Sequence, residues 1–75
     1  MLTRGDLIRI PADTCIVKSD LEELSIIEKY EYTKKPKIGI FISYIKYEDV
    51  KIFLGNEYWI VNIKDINYVR GQNVS

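Results

Sequence analysis

Histidine is absent from this sequence, and cysteine occurs once, as Cys15. Without imidazole, zinc and related metals lose their commonest ligand. One thiol cannot form an internal disulfide, and a lone thiol fits a reducing compartment. No metal and no cofactor are expected. An excess of either charge is also lacking: eleven basic side chains face eleven acidic ones. Overall charge therefore gives no reason to expect nucleic acid or an anionic membrane as partner. The longest apolar run, "IGIFI", is far too short to span a bilayer. The start "MLTRGD" has no apolar run after its arginine, so a signal peptide is not expected and an intracellular protein is. Alanine is nearly missing, with Ala12 alone, which removes the best helix former.

What is present favours strands. Isoleucine is abundant, and tyrosine, lysine and asparagine are well represented, in the 75 residues; β-branched and aromatic side chains fit a pleated surface. A chain of this length makes a single domain, residues 1–75. Its core supplies only about 3–5 kcal/mol of net stability, so it must pack very well or lean on a partner.

"GDLIRIP" (5–11) reads as a first strand with Ile8 and Ile10 on one face, stopped by Pro11. "DTCIVKS" is a short extended piece. Residues 19–32 are ambiguous: Ser19 and Glu22 could form a capping box before Leu21, Leu24 and Ile27, yet "SIIEKYEYT" is β-like. A long irregular hairpin is expected there, with at most one turn of helix near 20–24. "KIGIFISYI" (37–45), "DVKIFL" (49–54) and "EYWIVN" (57–62) read as a three-stranded meander. Gly55-Asn56 makes a two-residue hairpin turn, glycine first as in type II′. That length sets Leu54 opposite Glu57, Phe53 opposite Tyr58, Ile52 opposite Trp59, Lys51 opposite Ile60 and Val50 opposite Val61. "NIKDI" suits a 3-10 turn capped by Asn62. "NYV" then adds a last short strand before "RGQNVS", which is expected to fray.

In this register Val50, Ile52, Trp59 and Val61 share one face, and Ile40 and Ile42 are expected to join them as the core. The opposite face carries Phe53, Tyr58 and Ile60, with Phe41 expected beside them. A meander with one wet face should alternate apolar and polar residues; this one is apolar on both. Either the 12–34 hairpin folds over the second face, or a partner or second copy covers it.

Catalysis finds no constellation. Glu22-Glu23 and Glu48-Asp49 are adjacent, and neighbours on an extended chain point to opposite faces. Cys15 has no histidine to activate it and is expected to be a half-buried thiol. The glycines form no phosphate-binding loop. No enzymatic activity and no small-molecule substrate are expected. Lys34, Lys35 and Lys37 form one basic cluster beside Tyr30 and Tyr32, a pattern that can hold a single nucleic-acid strand. Glu28 and Glu31 interrupt it, and three lysines release few counterions; this is the weaker reading. Proline-rich peptide docking needs exposed loop aromatics, whereas Trp59 faces Ile52 and is expected to be a core residue.

Five short strands, a long first hairpin, a tight meander and a 3-10 turn before the last strand describe an SH3-like barrel. "RGDLIRIP" resembles the first strand of many such barrels. "KPKIGIFI" followed by "DVKIFLGNEYWIVNIKDI" resembles a group of small SH3-like proteins of tailed bacteriophages, especially those of marine bacteria. The positions that carry the resemblance are Lys35, Pro36, Gly39, Gly55, Trp59, Val61, Asp65 and Ile66, with one residue more between Gly55 and Trp59 than in the tightest form of that motif. The resemblance implies an all-β five-stranded barrel in a phage accessory or virion protein that works by contact, in the host cytoplasm or the particle. The weaker alternative is a KOW-like nucleic-acid-binding domain. The contact is expected at Phe41, Phe53, Tyr58 and Ile60 and at the loop residues Tyr30, Tyr32, Tyr44 and Tyr47. The partner would be a virion or host protein, or a second copy, and no membrane is involved.

Overall fold

Strands dominate the computed structural model, which describes residues 2–19 and 27–69. They are β1 (Leu7–Ile10), β2 (Cys15–Ser19), β3 (Ile27–Tyr32), β4 (Lys37–Lys46), β5 (Asp49–Leu54), β6 (Glu57–Asn62) and β7 (Asn67–Tyr68), with a 3-10 turn at Ile63–Asp65. All seven form one antiparallel sheet in the order β3-β2-β6-β5-β4-β1-β7. No helix among the described residues is long and apolar enough to cross a membrane.

The meander follows the register set by its turn. β5 and β6 pair from Leu54 opposite Glu57 to Val50 opposite Val61, as the two-residue connection requires. The turn itself differs from expectation. Gly55 has φ 60° and Asn56 has φ 66°, and two left-handed central residues define type I′ rather than II′. Asparagine tolerates that conformation, and its twist matches the flanking strands. The 3-10 turn forms as expected: the Asn62 carboxamide oxygen accepts from the Lys64 backbone N–H at 2.8 Å.

The start of β1 is built by the "TRGD" segment. Asp6 N–H donates to Thr3 O at 3.0 Å, with Gly5 at φ 97° in the third position, where a type II turn favours glycine. The Asp6 carboxylate accepts from Thr3 N–H at 2.8 Å. Gly5 N–H donates to Phe41 O, and Phe41 N–H donates to Asp6 O, which ties this turn to the middle of β4.

Two expectations about the first hairpin are revised. It is regular enough to make strands, paired from Cys15 opposite Tyr32 to Ser19 opposite Ile27, so the sheet has seven strands rather than five. Nor does it fold over the second face. It extends the sheet edgewise, joined to β6 through Val17 opposite Ile60. The one turn of helix considered near 20–24 lies outside the described residues, as does the fraying of residues 70–75.

Ile8, Ile10, Ile16, Phe41, Val50, Ile52, Trp59, Val61 and Ile66 form one buried cluster. Ile8 and Ile10 are 0% exposed. No helix or second sheet among the described residues covers this face. Gly39 lets its neighbouring strands approach: a Cβ there would lie 3.2 Å from Phe53 O on β5 and 3.3 Å from Ile10 Cδ1 on β1.

Candidate contact surface

Side chains alternate across each strand, so the pairings fix which residues share the outward face. Lys51 is opposite Ile60, and Phe53 is opposite Tyr58. Phe53 is also opposite Ile40, and Ile40 is opposite Leu7. On the other side Ile60 is opposite Val17, and Val17 is opposite Tyr30. A row of apolar and aromatic residues thus crosses six strands, from Leu7 on β1 to Tyr30 on β3. Phe53 and Tyr58 meet edge to face, with centroids 5.1 Å apart. The Lys51 ammonium stands 5.0 Å over the Tyr58 ring. Tyr58 is 51% exposed, and Ile40 and Tyr30 are exposed too.

The row is not the one expected from the sequence. Phe41 belongs to the opposite face, 2% exposed and paired with Ile52. Ile40 takes the outward place that Phe41 was expected to hold, and does not join the core. A one-residue shift turns every side chain of a strand over. The run "KIGIFISYI" is apolar at both parities, so its pattern does not choose a face. Contacts that fix Phe41 by its backbone, to Gly5 and Asp6, do choose. Register shifts between Phe41 and Ser43 and between Tyr44 and Lys46 then change the parity again. Tyr44 consequently lies beside Phe41, centroids 4.9 Å apart.

Ile60 is on the expected face but only 7% exposed, because β2 is laid alongside it. It supports the row rather than presenting itself. Tyr44 opens instead on a groove of about 490 Å³ lined by Leu2, Ile63, Ile66 and Tyr68, and its hydroxyl accepts from Leu2 N–H at 3.3 Å. Tyr47 sits at the β4–β5 turn, 93% exposed and held at φ 53°. The structure therefore joins Phe53, Tyr58 and Tyr30 on one surface and leaves Phe41, Tyr44 and Tyr47 off it.

Comparison with protein-family models, curated proteins and solved structures yields no match. Function has to be sought in the chain's own geometry.

Trp59 is a core residue, 4% exposed and opposite Ile52. The Lys18 and Lys29 ammonium groups stand 5.1 and 5.8 Å from its ring. Lys18 is paired to Glu57, and Lys29 to Glu31 at 3.2 Å. Glu48 is paired to Lys64 at 3.0 Å, and Glu22-Glu23 lie outside the described residues. Cys15 is half-buried. No group of three metal-ligating side chains occurs among the described residues.

Lys34, Lys35 and Lys37 do come together. With Ile16, Glu31, Tyr32 and Thr33 they line one groove of about 470 Å³ at the corner between β3 and β4.

A buried threonine pair escapes sequence reasoning. Thr33 Oγ1 donates to Pro11 O at 2.7 Å and accepts from Thr14 N–H at 3.0 Å. Thr14 Oγ1 also donates to Pro11 O, at 2.8 Å. Together they lock the turn after β1 to the end of β3. The signal was present in "PADT" and "YTKKP", where threonines flank turn residues, but nothing local says that the two turns meet.

Proposed function

We propose that the protein is a non-enzymatic protein-contact module, built as a small SH3-like barrel and encoded by a tailed bacteriophage as a virion component or adaptor. Support for the barrel is the order β6-β5-β4-β1-β7, with a 3-10 turn between β6 and β7. On this reading those five strands would be the barrel strands, and β2–β3 the long first hairpin. Support for the phage origin is the resemblance of "KPKIGIFI" and "GNEYWIVNIKDI" noted above.

The single observation that carries the contact reading is the outward row Leu7, Ile40, Phe53, Tyr58, Val17 and Tyr30. Solvent-facing sheet residues are ordinarily polar, and contiguous exposed apolar surface marks interaction sites. Six strands spaced about 4.8 Å apart make the row about 24 Å long. At a height of two side chains it offers roughly 350 Å², less than half of the about 800 Å² per partner of a stable interface. That is too small for a dimer of this chain and suits an extended segment of another protein. Arg9 shares this face with Lys51, being two residues from Leu7 on β1. The segment's chemistry is accordingly apolar side chains beside carboxylates.

The test is selection from a random peptide library on the whole protein, followed by amide shift mapping by NMR. Enriched apolar-acidic peptides should shift residues of β1, β4, β5 and β6 around this row and lose binding with Tyr58→Lys. Light scattering should show a monomer. Peptides that map elsewhere, or a stable dimer closed by this face, would refute the assignment.

A further inference from the structure

The basic corner is a second surface with a chemistry of its own. Its sequence is "YTKKPK", residues 32–37, and both ends are pinned. Thr33 is buried and held through its hydroxyl, as described above. Its backbone N–H donates to Thr14 O at 2.9 Å, and its carbonyl accepts from Asp13 N–H. Pro36 fixes its own φ, and Lys37 enters β4 opposite Ile10. The three lysines therefore project from a rigid corner, which lowers the ordering cost of binding.

Among the described residues these three charges have no ion-pair partner. Lys18, Lys29 and Lys64 each have a carboxylate partner, whereas Lys34, Lys35 and Lys37 have none among the described residues. Glu31, the acid that lines the groove, is engaged by Lys29. In a chain of net charge zero, three cations gathered on one groove create a local positive field, and concave walls concentrate it. Beside them stands Tyr32, exposed, its ring centroid 6.3 Å from that of Tyr30 at an interplanar angle of 88°. An edge-to-face contact uses the edge of one ring and one face of the other, so it leaves Tyr32 at least one face for stacking. The groove's volume, about 470 Å³, lies within the about 300–1,000 Å³ range of small-ligand sites, room for one or two nucleotides.

We propose that this groove binds single-stranded nucleic acid, with Lys34, Lys35 and Lys37 on successive phosphates and a base stacked on Tyr32. DNA and RNA share this chemistry. The site adjoins the β3 end of the outward row, where Tyr30 meets Tyr32, but Phe53 and Tyr58 do not line it. Neutralising three phosphates of a single strand gives a log–log salt slope of about −2. Affinity should therefore fall about 20-fold between 50 and 200 mM salt.

The experiment is fluorescence polarisation of labelled dT12 and rU12 with the full chain at those two salt concentrations. Heparin serves as a polyanion without bases and poly-glutamate as an acidic polypeptide. Saturable binding with a slope near −2 is expected for at least one of the two oligonucleotides, and which of them it is identifies the nucleic acid. The double substitution Lys34→Ala/Lys35→Ala should abolish binding. Tyr32→Ala should weaken it about 10-fold, the scale of one lost stacking contact, and circular dichroism checks that both variants fold. Tyr58→Lys should leave it unchanged, which separates this site from the outer row. Absence of binding at 50 mM salt would overturn the proposal. So would indifference to the lysine or tyrosine substitutions, or equal affinity for heparin or poly-glutamate.

Discussion

Replacing Phe41 by alanine tests the face assignment of β4, on which the contact surface depends. Phe41 is buried in the nine-residue cluster and packs edge to face on Tyr44. Truncating a core phenylalanine costs about 3–5 kcal/mol, from lost transfer energy and the cavity left behind. A core of this size supplies only about 3–5 kcal/mol of net stability, so Phe41→Ala removes most of it. Tyr58→Ala is the matched control on the opposite face. It is half-exposed and loses the cross-strand aromatic contact with Phe53, about 0.5–1.5 kcal/mol. With a urea m-value of about 1 kcal/mol/M, the midpoint should fall by about 3 M or more for Phe41→Ala and by about 1 M for Tyr58→Ala. Fluorescence of Trp59, the single tryptophan, reports unfolding. If Phe41→Ala leaves too little folded protein to measure, Phe41→Leu supplies the smaller step, about 1–1.5 kcal/mol. A Tyr58→Ala loss that equals or exceeds that of Phe41→Ala would mean that β4 sits one residue out of register, and the outward row would dissolve.

Two further substitutions probe the corners of the sheet. Thr33→Val keeps the shape but takes the hydroxyl away from Pro11 O and Thr14 N–H; hydrogen bonds left unmade in a buried site cost about 1–3 kcal/mol, and amide exchange in β2 and β3 should quicken before the rest of the sheet, whereas a loss below 0.5 kcal/mol on the scale of ordinary surface changes would contradict the lock. Tyr47→Gly should leave stability unchanged or raise it by up to about 1 kcal/mol, since relief of a left-handed backbone worth about 1–2 kcal/mol outweighs glycine's extra unfolded-chain entropy; clear destabilisation by urea titration would show that the tyrosine ring is itself a structural contact.

Much of the meander was legible because its constraints are local. A two-residue turn at Gly55-Asn56 leaves one possible pairing for β5 and β6, and alternation then puts Ile52 with Trp59 and Phe53 with Tyr58. Asn62 before "IKD" is a cap for the same local reason. The turn type was misjudged because glycine in the first position suits II′, while asparagine in the second also accepts positive φ, and I′ results. β4 was misread at a deeper level. A run that is apolar at both parities carries no preference for a face, and the bulges near Ser43 and Lys46 are not encoded by any turn residue. The destination of the first hairpin was equally silent. Its strands could have lain over the sheet or continued it, and the pairing of Val17 with Ile60 belongs to neither strand alone.

Composition and spacing, then, determined a strand-built chain, three meander strands with a known register, a capped 3-10 turn and a lysine cluster beside tyrosines. Each follows from forces acting between residues a few positions apart. The tertiary structure decided which side of β4 faces inward, where the hairpin docks, and that Thr14 meets Thr33. It also gathered Lys34, Lys35 and Lys37 with Tyr32 around a single groove. These depend on contacts between residues distant in sequence, where packing the sheet's apolar side chains into one core, rather than any local preference, selects the arrangement.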